Sequence, residues 1–566
     1  MPGLVGFIDF CKRINDPVLL LEKMRDIITH QPFYVKDELF SYNNFYASRS
    51  HINIAQKKSQ PSEVGGVYCW LDGEFINRDE LKTLIKETMD FSDPELLLRL
   101  YIEIPDFEFL LKIDGTYSAV ILDTNVNKLF LLTDRYGLRD IYWMHKEGQL
   151  AWASEIKALT LMPGFSLEIN RAGVENLLRW RYFFDDETWF KDIRMLLPST
   201  VLSYDLKDGS TSMRRYWSYD DIGAIPKDVN EDVLIETIAE LFSSAVGKCS
   251  LYEGRVGLTL SGGLDSRALL AAMPDLGYPV PAVTFGKKGC ADVRIAAMVT
   301  KKTNASHYVF ELRPDNWFPP RFKGVWWTDG QLSFIHMHGI EFMPEIKKLF
   351  DVHMNGFAGD AVLGGSFVGL RDLTATQKFN QHVRRFTNTG KKLINVFVES
   401  RLPFMSNKLF ETALGIPAEM KNDSAIYKKF LLKHYPELYM DIPWQKTGLP
   451  ITAGKVQVKF KRLLKRIKNK FNKGLRKLGL TPDDNDIYSD YALWLRLEPV
   501  KSIIIKILTA KDALYPEWIP RETVLSVLND HMSGIDHSEK LGVFLTSEIW
   551  LQQILNGKYR TYESLF

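Results

Sequence analysis

The chain has 566 residues, 45% hydrophobic and 25% charged, with 72 Lys and Arg against 70 Asp and Glu for a net charge of +2. This is a globular composition, long enough for two or three domains. It excludes a disordered chain, a collagen-like fibre and a uniformly basic nucleic-acid coat.

Cys11, Cys69, Cys249 and Cys290 lie far apart without a CxxC pair. That argues against a zinc ribbon or a disulfide scaffold and suits a reducing, cytoplasmic setting. The opening MPGLVGFIDF meets Lys12 and Arg13 before any long apolar run, so no secretory signal is expected. Apolar stretches such as 502–508 fall far short of the roughly 20 residues of a spanning helix, so no integral membrane segment is expected.

From residue 1 to about 220 the pattern is β-rich. Runs at 4–10, 66–71, 117–122 and 128–132 lie between Gly, Asp and Asn turns, with short helical patterns at 79–88 and 94–102. The polar stretch 217–229 reads as a linker. Helical spacing then covers 231–248, followed by a strand at 256–260, a helix at 266–273, a strand at 280–285, a helix at 292–302 and strands at 307–312 and 351–355. Strand and helix alternate at the rhythm of a parallel, doubly wound sheet. The last part, about 485–566, reads as mostly helical.

Two glycine-rich turns carry the chemistry. Ser261-Gly262-Gly263-Leu264-Asp265-Ser266 follows a strand and opens a helix. Its glycines let the backbone approach a ligand, and the helix N-terminus offers N–H groups to an anion. A carboxylate at Asp265 opposes phosphate unless Mg²⁺ bridges the two. The second turn runs from Asn355 to Gly365 and places Asp360 past another strand end, where it can share that ion with Asp265. A plain strand-to-helix turn and a solvated aspartate are the alternatives. There is no GxxxxGK[ST] and no GxGxxG at these turns, so neither a Walker A loop nor hydride chemistry is supported.

At these residues the sequence resembles the asparagine synthetase B family, whose synthetase domain is marked by SGGLDS. The resemblance implies an α/β protein: an N-terminal αββα, Ntn-hydrolase-like sandwich over about 1–215, then a doubly wound parallel-sheet ATP-pyrophosphatase domain over about 228–566. It implies ATP and Mg²⁺ as cofactors. Leu260 to Ser266 and Gly356 would cradle the nucleotide, and Asp265 and Asp360 would hold the metal. Lys446, within Pro443-Trp-Gln-Lys-Thr-Gly-Leu-Pro450, would be the catalytic cation. The expected reaction is adenylation of a small-molecule carboxylate with release of pyrophosphate, then displacement of AMP by ammonia or an amine.

The N-terminal half is similar to the class II glutaminase domain through PGLVGF at 2–7, LDGEFIN at 71–77, SDPE at 92–95, DRYGL at 134–138 and ASEIK at 153–157. Arg49, Gly73, Glu74 and Asp93 match its glutamine-holding positions. Four departures stand out. Pro2 occupies the place of the N-terminal cysteine nucleophile, a loss that can cost about six orders of magnitude. Asp72 replaces an oxyanion-donating Asn, which costs about 10²–10³. Phe357 replaces a catalytic Glu of the synthetase motif, and the stretch at His30 to Pro32 is a decayed HRGPD. Glutamine hydrolysis is therefore expected to be absent or very weak. Intramolecular amide closure, as in β-lactam synthetases and lasso-peptide cyclases, and a non-catalytic ATP-binding scaffold are the rival readings. Asp329 is a weaker candidate for the acceptor side.

Lys455 to Lys477 holds eleven Lys or Arg and no acidic residue, with Phe460, Leu464, Ile467, Phe471, Leu475 and Leu478 at steps of three and four. Such a basic amphipathic helix suits an anionic membrane surface, nucleic acid or an acidic polymer; a charged face in water is the alternative. The expected location is cytoplasmic, with peripheral membrane attachment through this helix as a further option. Oligomeric state, a homodimer included, is left open.

Overall fold

The computed structural model describes residues 2–365, 378–477 and 486–565 and divides into two compact units. The first comprises Met1–Asp221, Trp327–Leu332 and the described part of Leu373–Glu399; the second comprises the rest. The stretch expected as a linker straddles this division: Trp217 is buried, with the Tyr136 ring edge-on at 5.5 Å, whereas Ile225 hydrogen-bonds Gly415 in the second unit.

Two antiparallel sheets form the first unit, one of seven strands and one of six. Continuous apolar runs explain why they stack: side chains alternate in direction, so a strand that is apolar at successive positions buries both faces. Along Val67–Phe75, Cys69 and Leu71 point to one core while Trp70 points to the other. Along Gly115–Asp123, Ala119 and Ile121 face the first core, and Val120 and Leu122 the second. One core lies between the sheets, where Leu4, Ile8 and Trp152 meet Trp70 and Leu131. The other is closed by the helix Asp93–Glu103, through Leu96, Leu97 and Leu100. The helix Pro17–Ile27 lies on the strands Gly3–Asp9 and Phe45–His51. The layers are helix, sheet, sheet, helix, the expected αββα sandwich.

The second unit is built on a five-stranded sheet in the order Ala305–Glu311, Val280–Gly286, Val256–Thr259, Val352–Met354, Glu399–Arg401. Its first four strands pair in parallel. The chain starts at the centre, winds one way for two crossovers and then returns to the other side of the first strand. The topological switch point therefore lies between Val256–Thr259 and Val352–Met354, and ligands of open α/β sheets bind at such points. The C-terminal part is helical, with Val500–Thr509, Arg521–Met532 and Ser538–Leu555 as expected. No helix among the described residues is long and apolar enough to cross a membrane.

Candidate active site

Both glycine-rich turns leave the sheet at the switch point. Val256 pairs with Val352 and Leu258 with Met354, so the two strands end side by side. The first continues through Ser261–Leu264 into the helix Asp265–Ala272; the second continues into the short helix Gly359–Val362. The backbone N–H of Asp360 donates to Asp265 Oδ2 at 3.0 Å, which joins the two turns. The Tyr427 hydroxyl donates to Asp265 Oδ1 at 2.8 Å.

Two features fix this juncture. A Cβ at Gly359 would lie 2.5 Å from Asp265 Cγ, so only glycine lets the second turn approach the carboxylate. Ala358, just before it, takes φ +63°, a left-handed conformation that costs an L-residue roughly 1–2 kcal/mol. The strain sits where the second turn meets Asp265. Gly359→Ala is expected to push the turns apart while the sheet stays folded. ATP affinity should fall at least about tenfold, as expected when a backbone or ligand group is displaced by about 1 Å. Titration calorimetry beside a thermal melt checks it; unchanged affinity would show that the contact is not needed.

Burial pushes the Asp265 carboxyl up to about 7, the neighbouring Asp360 carboxylate adds to the rise, and the Tyr427 hydroxyl and the Lys446 cation oppose it. The Asp265 carboxylate and the half-buried Asp360 carboxylate, near enough to raise it, offer hard oxygen donors. Mg²⁺ is commonly held by one or two carboxylates together with substrate phosphates. The donor set fits that ion: a cation would offset the burial, and the lesser Asp360 repulsion, that raise Asp265. Among the described residues no group of three or more His, Cys, Asp or Glu could hold a metal by itself.

The loop N–H groups are satisfied within the chain. Gly262 N–H donates to Asp292 Oδ1 at 2.7 Å, Gly263 N–H to Ser261 Oγ at 3.1 Å, and Ser261 N–H to Ser266 Oγ at 3.1 Å. Leu260 uses its N–H on Val283 and its carbonyl on Thr284. Arg267 is fully buried and donates to the carbonyls of Gly262 at 2.7 Å and Pro443 at 2.5 Å, and Gln445 N–H donates to Gly262 at 3.0 Å. This lacing ties the 443–446 segment to the first turn and so brings Lys446 to the site. The Lys446 ammonium lies 5.1 Å from the centre of the Trp444 ring. Beside it opens a cavity of about 350 Å³ whose lining includes Lys428, Lys446, Lys455, Lys459 and Arg462 against a single carboxylate, Asp423. Its charge suits an anion. Phe357 is buried and brings no titratable group.

The first unit holds the residues expected at a glutamine site. Pro2, Arg49, Asp72, Gly73 and Glu399 line a cavity of about 20 Å³, room for about one water. Gly73 takes φ +110°, which a side chain rarely adopts. Arg49 donates to Asp37 Oδ2 at 2.7 Å and to the Lys58 carbonyl at 2.9 Å, so its charge is already matched. Asp93 accepts from Phe75 N–H at 2.9 Å and Gln56 Nε2 at 2.6 Å and lies 3.2 Å from Arg78 Nε; burial pushes it up to about 6. Asp72 lies 3.6 Å from Arg139 Nη1, and Arg139 is also paired with Glu399. Burial raises Glu399 to about 7 against the pull of Arg139. Where an oxyanion donor is expected, this chain has two carboxylates around one guanidinium.

A second buried network belongs to the same unit. His30 Nε2 meets both Glu155 oxygens at 2.8 and 2.9 Å, Glu155 also pairs with Lys157, and Lys157 lies 2.8 Å from Asp329. Asp329 further accepts from Ile156 N–H at 2.7 Å, so its carboxylate serves the packing of this unit. Burial lowers His30 to about 3 despite Glu155. A histidine depressed below its unfolded value gives stability that is full above about pH 6.5 and is lost as pH falls toward 3. His30→Gln is expected to remove that slope: relative to the parent, the variant gains Tm between pH 8 and pH 5. Thermal melts across that range check it, and a parallel offset at both pH values would exclude His30 as the cause.

Sequence reasoning brought together Ser261–Ser266, Asp360 and Lys446. It missed Tyr427, Asp292, Arg267, Arg139 and Glu399. The first two act on the turns from distant segments with no motif of their own, Arg267 follows the hexapeptide directly, and the Arg139–Glu399 pair joins positions 260 residues apart.

Comparison with known proteins gives two family matches: "Glutamine amidotransferase domain" over residues 1–217 and "Asparagine synthase" over residues 237–397. Asparagine synthetase [glutamine-hydrolyzing] 2 of Bacillus subtilis is 26% identical over 402 residues, covering 64% of this chain and 52% of that protein. Asparagine synthetase [glutamine-hydrolyzing] 3 of the same organism is 25% identical over 407 residues, covering 64% of this chain and 63% of that protein. The chain thus spans about half to three-fifths of the length of these curated relatives. Among solved structures, the glutamine phosphoribosylpyrophosphate amidotransferase of B. subtilis covers 56% of this chain and 83% of its own at 13% identity and a TM-score of 0.28. The fold assignment rests on this chain's own strand order.

Proposed function

We propose that the chain is a divergent member of the asparagine synthetase family and an ATP-dependent carbon–nitrogen ligase that takes its nitrogen from ammonia or an amine and not from glutamine. The observation that carries the reading is the union of the two turns at Asp265.

In the proposed reaction a substrate carboxylate oxygen attacks the α-phosphorus of ATP, the bond to the β-phosphate oxygen breaks, and pyrophosphate leaves. A nitrogen nucleophile then attacks the acyl carbon and AMP departs. Asp265 and Asp360 would hold Mg²⁺, which when bound neutralises phosphate charge. Tyr427 holds the Asp265 carboxylate in place by its hydrogen bond. Gly262 and Gly263 admit phosphate close to the backbone once their N–H groups are released from Asp292 Oδ1 and Ser261 Oγ. Lys446 meets negative charge as it grows on the phosphoryl and acyl oxygens, the kind of electrostatic term worth about 10²–10³ in rate. Phe357 moves no proton, so the nitrogen must arrive as the free, unprotonated amine and, after attack, pass the proton it loses to water or to the departing AMP phosphate.

Exchange of labelled pyrophosphate into ATP, with a panel of carboxylates that includes aspartate and without any amine, tests the adenylation step. Exchange with at least one carboxylate is expected; ATP binding without exchange across a broad panel would favour the scaffold reading.

A further inference from the structure

The helix Lys455–Lys477 is turned the wrong way round for an ordinary surface helix. Such helices bury their apolar stripe and leave charge in water. Here Lys455, Val458, Lys459 and Arg462, on one side, line the cavity beside Lys446. Val456, Phe460, Leu463, Leu464, Ile467 and Phe471 fall on nearly the opposite side, roughly 150° away at about 100° per residue. These residues are exposed, Phe460 at 61%, Phe471 at 66% and Val456 at 80%. Leu478, the last of the apolar positions, lies outside the described residues.

We infer that this helix docks in the plane of an anionic lipid bilayer, its apolar stripe among the acyl chains and its lysines and arginines at the headgroups. Charge selects the occupant. Eleven of the 23 residues are Lys or Arg and none is acidic, so a second copy of the helix is repelled. Nucleic acid or an acidic polymer matches the cations but leaves two phenylalanines, two leucines, an isoleucine and a valine in water. An anionic bilayer satisfies both faces. Lys461 and Lys468 flank the stripe on one side and Arg466 on the other, and they can reach outward to headgroups. The Lys446 cavity then sits on the far side of the helix, about one helix diameter, roughly 10–12 Å, from the headgroup layer.

Docking needs no nucleotide, so its failure and the failure of the ligase reading are separate results. The test is flotation of the whole protein with phosphatidylcholine vesicles, with and without phosphatidylglycerol, in the absence of ATP. Binding to the anionic vesicles and at least tenfold weaker binding to phosphatidylcholine alone are expected. Phe460→Ser/Phe471→Ser removes exposed side chains, so circular dichroism and melting temperature should stay unchanged while vesicle affinity drops about a hundredfold. Lys461→Gln/Arg466→Gln/Lys468→Gln should lower it similarly, at about fivefold per charge. The inference is overturned if anionic vesicles do not bind, if the phenylalanine variant binds them as the parent does, or if duplex RNA binds and vesicles do not.

Discussion

Asp265→Ala is expected to abolish carboxylate-dependent pyrophosphate exchange, by about a thousandfold or more, while the protein stays folded. Asp265 has three relations that no other residue replaces. It accepts the Asp360 N–H, accepts the Tyr427 hydroxyl, and faces the Asp360 carboxylate closely enough to be raised by it. Removal leaves Asp360 as the one carboxylate of the pair and leaves a buried tyrosine hydroxyl without its acceptor. Loss of such an acceptor costs about 1–3 kcal/mol, which a protein of this size can bear. Asp360→Ala should give the same kinetic loss without disturbing Tyr427. Equal exchange rates in parent and variants would show that the two carboxylates take no part.

Pro2→Cys is expected to leave glutamine hydrolysis at background even though it restores the missing nucleophile. The reason lies around that residue. Its cavity measures about 20 Å³, Arg49 is paired with Asp37, and Asp72 and Glu399 gather round Arg139. A tetrahedral oxyanion formed there would meet a carboxylate, and loss of a single donor at such a place costs about 10²–10³ in rate. With the nucleophile restored, a second substitution, Asp72→Asn, should recover at most a trace. Ammonium should therefore support product formation and glutamine should not, in parent and variants alike. Ammonia released from glutamine by the parent at a rate above buffer, read in a coupled glutamate dehydrogenase assay, would contradict this.

The parts of the molecule legible in the sequence are those that local pattern encodes. Val67 to Leu71 is an unbroken apolar run, and in a strand that puts Trp70 and Leu71 on opposite faces, both of which are covered. The strand–turn–helix rhythm from Val256 to Ala272 is set by a buried β-run, two glycines and an aspartate at the helix start. Long-range pairings were not legible. Nothing near Asp292 marks it as the acceptor for Gly262 N–H, and Arg139 reads as an ordinary surface arginine until Glu399 is beside it. The segments 327–332 and 378–399 illustrate the same limit. They lie among the second unit's strands in sequence yet pack in the first unit, through pairs such as Lys392 with Asp140 and Asp329 with Lys157. All four of these charged residues are buried, and each is placed by a partner that lies far away in the chain.

Calorimetric titration of ATP into the protein, with and without Mg²⁺, is the most direct measurement of whether the switch point grips a nucleotide. Saturable heat that requires the ion in the parent and vanishes in Asp265→Ala is the predicted result. Heat that is the same without the ion, or the same in the variant, would contradict it.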